Sequence, residues 1–487
     1  MRLPNALTPL CGWLVRLLCV IPCVILCLLP APLLAAVPDA VLTPIPHDAG
    51  IKQRPFITST LDLAAYGYLE EEFIMSGTGH YYEADGRWRR DGQWNVAIKA
   101  ERDYATRLLV RRPADPEQFN GIVVVEWFNN TAFMDVDVIW AQSHDELLRE
   151  GYAWVGVSAQ FFGVNMLKSW DRERYGTLRL PNDGLSYDIF SQAGRAVKQQ
   201  SAQLLGGLTV SGVIGAGESQ SAIRLTTYVN AFQADAVDVY DAMLLYSRFF
   251  SAAPLQAGIT LAAPSRAFIR DDNQLKILQF ETEQDVFMFL FRLVRQDDTD
   301  FLRSWELPGA SHYDEYGVST LLPQYQRDFP ALSNIALDCR NDLNQVPQHY
   351  VVNAALSHLR RWVLTGEAPP QSPRIEYQRW QVVRDDHGNA TGGIRLPELE
   401  VPTATHNYAN YGALGSAGNV LVNSFACPFL GNTVPFTQEK LKTLYPSRQD
   451  YVTQYVAAAD AARAAGFLLA ADYEEAVAKA RAFDLPW

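Results

Sequence analysis

The sequence predicts an α/β fold in which a mostly parallel central sheet carries helices on both faces. Residues 121–130 (GIVVVEWFNN) form a continuous apolar run rich in β-branched residues, which is typical of a strand buried on both faces. Similar runs recur along the chain, and segments with helical periodicity separate them. Alternating strands and helices build parallel sheets, because the crossover between two parallel strands needs a connection of helix length.

The first half of the pattern begins with two apolar segments, NVAIKAERDY and TRLLVRRP, within residues 95–112, which predict an antiparallel strand pair. After the strand at 121–130, DVIWAQSHDELLREG has helical spacing and ends at Gly151, a residue that commonly terminates helices. YAWVGVSAQ predicts the next buried strand and SYDIFSQAGRAVKQQSAQLL the next helix. TVSGVIGAG then predicts a strand and ESQSAIRLTTYVNAF a helix, so each strand is followed by a helix.

The second half contains three more predicted strands and then a looser pattern. YDAMLLYSRF, LKILQFETE and FLRSWEL predict the strands, the last of them at residues 301–307. Residues 353–370 predict an amphipathic helix that ends near Gly366. Residues 371–450 are rich in Gly, Pro, Asn and Tyr, and the final Ala-rich segment predicts helix interrupted near Gly466.

The 487 residues are enough for one large domain with insertions. We expect a signal peptide at residues 1–36, an α/β core with insertions at 37–370, and a C-terminal strap or cap at 371–487 that packs on the core. A separately folding C-terminal domain is the alternative.

The first 36 residues differ in composition from the rest of the chain. Arg2 and Arg16 lie near the start, and a charge-free apolar run then continues to the small residues Ala35 and Ala36. This combination predicts a cleaved secretory signal peptide, and therefore an exported protein that is periplasmic or secreted. An uncleaved N-terminal membrane anchor is the alternative, because about 20 apolar residues can span a bilayer.

Signal removal would leave two of the six cysteines in the mature protein, because the other four lie in the first 36 residues. Cys339 and Cys427 would remain, as an even pair in an oxidising compartment. We therefore predict one disulfide between them, with two buried free thiols as the alternative.

Net charge and motif content limit which partners and cofactors the protein is expected to bind. The formal net charge is −13 and no run of Lys or Arg forms a basic patch, so nucleic acid is not an expected partner. No CxxC motif or Cys/His cluster indicates zinc. We predict no metal or organic cofactor.

The stretch VIGAGESQSAIRL, residues 213–225, places Ser219 between a predicted strand and a predicted helix. A reactive serine on such a sharp turn is usually found in the motif G-x-S-x-G, because bulky neighbours do not fit. Here the last glycine is replaced by Ser221, which is also small. The strand before the motif and the helix after it make Ser219 the candidate nucleophile.

The oxyanion of an attacked carbonyl needs two N–H donors near this serine. The main-chain N–H of Gln220, the residue after the candidate nucleophile, is the first. The second is expected from the loop EWFNNTAF at residues 126–133, with Phe128 or Asn129 as the candidate donor.

The candidate base is His312, in the segment ELPGASHYDEYG directly after the last predicted strand. A serine hydrolase of this architecture has the chain order Ser, acid, His, with the His on a late loop. His406, in PTATHNY, is the alternative base.

The candidate acid comes from LKILQFETEQDVF, which offers Glu281, Glu283 and Asp285. A residue just beyond the strand end has the best position to orient His312, so Asp285 is the first choice and Glu283 the second.

Together these segments resemble a large family of exported or lipid-associated bacterial proteins, the α/β hydrolase domain family. The stretches that carry the resemblance span most of residues 110–410 and include VVVEWFNNT, GYAWVGVSAQ, IGAGESQSA, ILQFETEQDV, PGASHYDEY and GGIRLPELEVPTATH. The resemblance implies an α/β-hydrolase fold with Ser219 as nucleophile. It also implies that His312 belongs to a G-x-x-H-x-D segment with Asp314, and that Ser221 is an ordinary residue at its position.

The resemblance further implies a serine hydrolase that cleaves carboxylic esters through an acyl-enzyme, with a small-molecule or lipid-like ester as substrate. An acyltransferase that uses the same residues, and a catalytically silent binding protein of the same fold, are the alternatives.

Overall fold

The computed structural model describes residues 37–256, 266–330, 337–413 and 420–485, and a sheet of nine strands lies at the centre of these residues. The strands are β1 (Val41–Ile45), β2 (Tyr68–Asp85), β3 (Asn95–Pro113), β4 (Ile122–Trp127), β5 (Ala153–Val157), β6 (Gly212–Glu218), β7 (Ala242–Tyr246), β8 (Lys276–Thr282) and β9 (Leu302–Leu307). Their order across the sheet is β1-β2-β3-β5-β4-β6-β7-β8-β9.

Most of this sheet is parallel, as the sequence predicts. The strands from β5 to β9 pair in parallel, whereas β1, β2 and β3 pair antiparallel and β3 is antiparallel to β5. Every residue of β4, β5, β6 and β7 is buried. Burial on both faces explains why these strands have continuous apolar sequences rather than alternating ones.

The predicted strand pair within residues 95–112 is wrong. The two apolar segments form the single long strand β3, and its antiparallel partner is β2, over the register from Tyr68–Pro113 to Asp85–Asn95. The charged residues between the segments do not form a turn. They lie in the outer part of the β2–β3 ribbon, where side chains are exposed or half-buried and polar residues cost little.

Helices cover the sheet on both faces. They are α1 (Val138–Arg149), α2 (Phe161–Trp170), α3 (Arg172–Tyr175), α4 (Ser186–Gln199), α5 (Ser201–Leu204), α6 (Gln220–Ala231), α7 (Gln233–Val239), α8 (Glu283–Phe287), α9 (Glu315–Asp328), α10 (Gln348–Thr365), α11 (Pro397–Glu400), α12 (Val420–Ala426), α13 (Gln438–Leu444), α14 (Arg448–Ala464) and α15 (Ala470–Ala482). Helices α1 and α10 contact each other and the sheet. Helices α4 and α6 each contact both the sheet and α7. The fold is therefore the predicted α/β sandwich.

The region after residue 370 contains short strands and helices α11 to α15. The short strands are β10 (Tyr377–Gln378), β11 (Gln381–Val382), β12 (Ala404–Asn407) and β13 (Asn432–Pro435). The last helices share an apolar cluster with Tyr350 of α10. Arg149 of α1 binds Asp472 of α15 at 2.6 Å, and the ring of His358 in α10 bonds the carbonyl of Gly466 at 2.8 Å.

The predicted disulfide between Cys339 and Cys427 is present. It joins two segments that are 88 residues apart in the sequence. The predicted signal peptide, residues 1–36, lies outside the described residues. Within the described ranges, every helix is either too short or too polar to cross a lipid bilayer.

Candidate active site

Ser219 lies alone between the end of β6 and the start of α6. Its backbone has φ 54° and ψ −116°, a left-handed conformation that non-glycine residues adopt only in tight, strained turns. The Ser219 N–H donates to the carbonyl of Tyr246 on β7 at 2.9 Å, which fixes the turn against the neighbouring strand. The turn places the serine at the carboxyl edge of the sheet and at the N-terminus of α6.

The residues on either side of Ser219 fit this turn closely. A Cβ atom on Gly217 would lie 3.0 Å from both Leu225 Cδ1 and Ser221 Oγ, closer than carbon atoms normally approach. Ser221 does more than fit, because its hydroxyl accepts from the Glu218 N–H at 2.9 Å and donates to the Glu218 carbonyl at 2.8 Å. A glycine at this position could not make these two hydrogen bonds.

Ser219, His312 and Asp285 form a hydrogen-bonded line at this edge of the sheet. His312 Nε2 lies 2.8 Å from Ser219 Oγ, and His312 Nδ1 lies 2.6 Å from Asp285 Oδ1. A carboxylate can only accept, so the Nδ1 atom carries the proton and Nε2 is left to accept from the serine hydroxyl. The structure thus brings together the first-choice candidates for nucleophile, base and acid.

Asp285 is held in place by the capped turn that begins α8. Its Oδ2 atom accepts from the Thr282 N–H at 2.8 Å, the Thr282 hydroxyl at 2.6 Å and the Ser247 hydroxyl at 2.6 Å. The N–H of His312 donates to the side chain of Gln284 in the same helix at 2.7 Å. These contacts leave Asp285 Oδ1 for the imidazole and fix the ring with Nε2 toward Ser219.

A second carboxylate, Glu218, also faces the imidazole, and sequence reasoning missed it. Its Oε1 atom lies 3.3 Å from His312 Nε2, and the side-chain amide of Asn129 donates to its Oε2 atom at 3.0 Å. Burial raises the pKa of Glu218 to about 7, with a further increase from Asp285, while His312 and Asn129 act in the opposite direction. The sequence feature that could have identified Glu218 is its position, as a carboxylate directly before the candidate nucleophile.

Burial and the charges of two carboxylates act on the pKa of the His312 imidazole. Burial alone lowers its pKa, but the negative charges of Asp285 and Glu218 raise it, and the pKa of His312 lies above its ordinary value. Aromatic rings surround the imidazole, with ring centroids 4.9 Å away for Phe289, 5.7 Å for Phe429 and 6.1 Å for Phe249. Phe429 belongs to the region after residue 370.

The main-chain N–H groups of Phe128 and Asn129, the predicted oxyanion donors of the loop after β4, both donate to backbone carbonyls. The Phe128 N–H donates to the Val157 carbonyl at 3.3 Å, and the Asn129 N–H donates to the Val136 carbonyl at 3.1 Å. Asn129 and Val136 form an isolated bridge that closes the loop, so sheet-like pairing continues past the end of β4.

The N–H of the next residue, Asn130, is the one that lies beside the nucleophile turn. It donates to the side-chain oxygen of Gln220 at 3.3 Å. The N–H of Gln220 itself opens α6, where the first N–H groups have no acceptor within the helix. Asn130 and Gln220 therefore each place a main-chain N–H group near the turn that carries Ser219.

Buried ion pairs fix the loop that carries Asn130. Arg107 Nη2 lies 2.9 Å from Asp135 Oδ2, and Arg111 Nη1 lies 2.7 Å from Asp137 Oδ2. The side-chain amide of Asn130 donates to Asp135 Oδ1 at 3.1 Å. Both arginines belong to β3, so these ion pairs attach the loop to the antiparallel part of the sheet.

The remaining candidates lie away from the imidazole. Glu283 accepts from the Gly309 N–H at 2.7 Å and binds Arg384 at 2.6 Å. Glu281 is fully buried, and burial raises its pKa well above the ordinary value. Asp314 caps α9 through the Gly317 N–H at 2.9 Å. His406 bonds the Thr433 hydroxyl at 3.1 Å, and burial lowers its pKa to about 4.

No group of three or more His, Cys, Asp or Glu side chains in the described part of the chain is arranged to hold a metal ion. The candidate site contains the hydrogen-bonded line, the second carboxylate and the two N–H groups.

Comparison with solved structures finds proteins of low similarity to this chain. One of two fungal esterases from Rhizomucor miehei is 14% identical, with a TM-score of 0.33, and the match covers 65% of this chain and 95% of that one. The esterase Est22 is 14% identical with a TM-score of 0.33, over 54% and 79% of the two chains. A putative dienelactone hydrolase from Klebsiella pneumoniae is 12% identical with a TM-score of 0.28, over 54% and 99%.

Comparison with curated protein sequences gives no match. The sequence model of the family described as "Alpha/beta hydrolase domain" matches residues 41–478, which is most of the chain and includes every residue of the site. The protein belongs to the α/β hydrolase domain family.

Proposed function

We propose that the protein is a serine hydrolase that cleaves carboxylic esters through an acyl-enzyme intermediate. The observation that carries the proposal is the hydrogen-bonded line, in which His312 Nε2 lies 2.8 Å from Ser219 Oγ and His312 Nδ1 lies 2.6 Å from Asp285 Oδ1. This geometry matches the requirement that a base touch the nucleophile and that an acid orient the base. Membership of a hydrolase family supports the same reaction class.

In the proposed first step, Ser219 Oγ attacks the ester carbonyl carbon while His312 Nε2 takes the serine proton. The carbonyl oxygen becomes an oxyanion that accepts from the N–H groups of Gln220 and Asn130, and it displaces the Gln220 side chain as the acceptor of the Asn130 N–H. The tetrahedral intermediate then collapses, and the alcohol leaves with the proton from His312. The acyl group stays on Ser219 as an ester.

In the second step, water attacks the acyl-enzyme and gives its proton to His312. The acid is released and the proton returns to Ser219. Asp285 holds the neutral ring in the tautomer with Nδ1–H and stabilises the imidazolium in both steps. The strained backbone of Ser219 favours catalysis, because the nucleophile is already positioned at the helix N-terminus before substrate binds.

Export to an oxidising compartment is part of the proposal, with residues 1–36 as the signal peptide. The Cys339–Cys427 disulfide supports it, because structural disulfides persist mainly in oxidising compartments. We also propose that residues 371–487 form a strap on an α/β core at 37–370, supported by the contacts of Asp472 and Phe429 with the core. The mass of the mature protein, expected to begin at Val37, tests the cleavage.

The experiment that tests the function is turnover of 4-nitrophenyl acetate by the purified protein. Ser219→Ala is expected to lower kcat by at least about ten-thousandfold, as for removal of other serine nucleophiles. Ser319→Ala is the matched control, because Ser319 is also preceded by a G-x pair but lies exposed on α9. Equal activity of wild type and Ser219→Ala would contradict the proposal, as would an equal loss in both variants.

A further inference from the structure

An apolar cavity of about 390 Å³ lies beside the candidate site, between the loop after β4, helix α9 and the segment around α12. Its lining is almost wholly carbon and includes no charged side chain. Its walls include Ala132, Met134, Val318, Leu321, Phe425 and Leu430. The volume is within the range of small-molecule binding pockets, about 300–1,000 Å³.

Two segments that flank the nucleophile also form the cavity walls. Tyr313, which follows His312 directly, lines the cavity on one side. Ala132 and Met134 line it on the other and belong to the same loop as the Asn130 N–H. The cavity is therefore formed by the same chain segments that carry His312 and the Asn130 N–H.

The region around the disulfide closes the third side. Leu337 lies two residues before Cys339, and Ala426 lies directly before Cys427, so the disulfide joins two parts of the wall. The N–H of Tyr313 donates to the Phe429 carbonyl at 3.0 Å, which attaches this wall to the loop of the candidate base. Phe425, at 59% exposure, forms an apolar rim.

We propose that this cavity binds the unbranched aliphatic chain of the ester, so that esters with a medium-length or longer alkyl chain on one side are better substrates than esters with only short or charged groups. This inference rests on the proposed function and adds the substrate class. The physical reason is that the cavity offers an alkyl chain a surface that excludes water and offers a polar substituent no partner.

The test measures kcat/KM for two series of esters. The first is 4-nitrophenyl alkanoates from acetate to decanoate, in which the acyl chain grows. The second is alkyl acetates from ethyl to decyl, in which the alcohol chain grows. We expect kcat/KM to rise by about fourfold per methylene over the first several methylenes in one of the two series. The series that rises shows which side of the ester occupies the cavity.

Val318→Phe fills the cavity from α9, and Ser319→Phe adds the same ring to the exposed neighbouring position of that helix. Val318→Phe is expected to lower kcat/KM for the octyl chain by about tenfold or more, and to leave the two-carbon chain within about twofold. Ser319→Phe is expected to leave both unchanged. Profiles that are flat in both series, or an equal loss at all chain lengths in Val318→Phe, would overturn the inference.

A second measurement does not need turnover or the Val318 variant. Isothermal titration of Ser219→Ala with dodecanoate is expected to show binding with a negative heat-capacity change, and titration with acetate is expected to show none. Absence of dodecanoate binding would overturn the inference. If no ester is hydrolysed above the rate of Ser219→Ala but dodecanoate binds, the proposed function fails and the apolar site remains.

Discussion

The two halves of the candidate site are built in different ways. The half at the sheet edge, with Ser219, His312 and Asp285, is fixed by short hydrogen bonds between fully buried groups at the ends of β6, β8 and β9. The half that contains Phe425 and Phe429 belongs to the region after residue 370. It is held by aromatic contacts, one disulfide and hydrogen bonds to its main chain, such as the one from the Tyr313 N–H to the Phe429 carbonyl. We therefore expect the first half to perform the reaction and the second half to determine which substrate binds.

The largest expected effect separates the two halves by their histidines. His312→Ala removes the base at the sheet edge, and we expect kcat for 4-nitrophenyl acetate to fall by at least about ten-thousandfold. His406→Asn alters the histidine of the C-terminal half, and kcat should stay within about threefold of wild type. A loss in His406→Asn as large as that in His312→Ala would remove this distinction.

Within the sheet-edge half, the two neighbouring acids of α8 are expected to differ sharply. Asp285→Asn keeps the shape of the side chain but favours the wrong tautomer of His312, so kcat should fall by about ten-thousandfold. Glu283→Gln weakens the contact with Arg384 and should change kcat by less than about tenfold. Steady-state kinetics of both variants at pH 7 checks the assignment, and a reversed order would transfer the role to Glu283.

The C-terminal half should affect stability and chain selectivity more than the reaction. Replacement of both cysteines, Cys339→Ser with Cys427→Ser, is expected to lower the free energy of unfolding by about 3–5 kcal/mol through the unfolded state. Turnover of the acetate ester should stay within about threefold, while the advantage of long-chain esters should decrease. Urea unfolding and the two ester series measure these effects. A selective loss of acetate turnover would contradict the separation.

The smallest expected effect concerns Glu218, which touches the base without belonging to the hydrogen-bonded line. Its negative charge raises the pKa of His312, so Glu218→Gln should lower that pKa. The acid limb of the pH profile of kcat/KM reports the protonation of His312 in the free enzyme, and it should move to lower pH. Glu283→Gln, which removes a buried carboxylate elsewhere, should leave the limb in place.

Stability should change in the same variant with a definite sign. The folded-state pKa of Glu218, about 7, is above its ordinary value, so the folded protein holds this proton more tightly than the unfolded chain does. Stability from this group is complete below the ordinary carboxyl pKa and decreases as the pH rises toward about 7. Glu218→Gln should reduce that decrease, as measured by urea unfolding at pH 4.5 and pH 7.5.

Sequence reasoning worked best where one local pattern fixes a position. Ser219 lies between a strand and a helix, with small residues two positions before and after it, and these features are visible within a dozen residues. The sequence could only rank Asp285 above Glu283 as the candidate acid, because the directions of these two side chains depend on the capped turn at Thr282. The backbone pairing of the Phe128 and Asn129 N–H groups was not visible in the sequence, because the bridge between Asn129 and Val136 extends the pairing beyond β4.

The parts that sequence could not give depend on long-range contacts. Phe429 lies 5.7 Å from the ring of His312 although more than a hundred residues separate them in the chain, and no local pattern predicts that contact. The cavity walls are likewise assembled from three distant segments. Glu218 was visible as a residue but not as a contact of His312, because its direction follows from the hydrogen bond with Asn129.

The most direct test of the central claim is the site of reaction with a fluorophosphonate. The reagent phosphonylates an activated serine as Ser Oγ displaces fluoride, and intact mass with peptide mapping locates the adduct. We predict one adduct per wild-type molecule, on Ser219, with none in Ser219→Ala and slower labelling in His312→Ala. Labelling of Ser219→Ala at the wild-type rate, or an adduct on another serine of the wild type, would contradict the account.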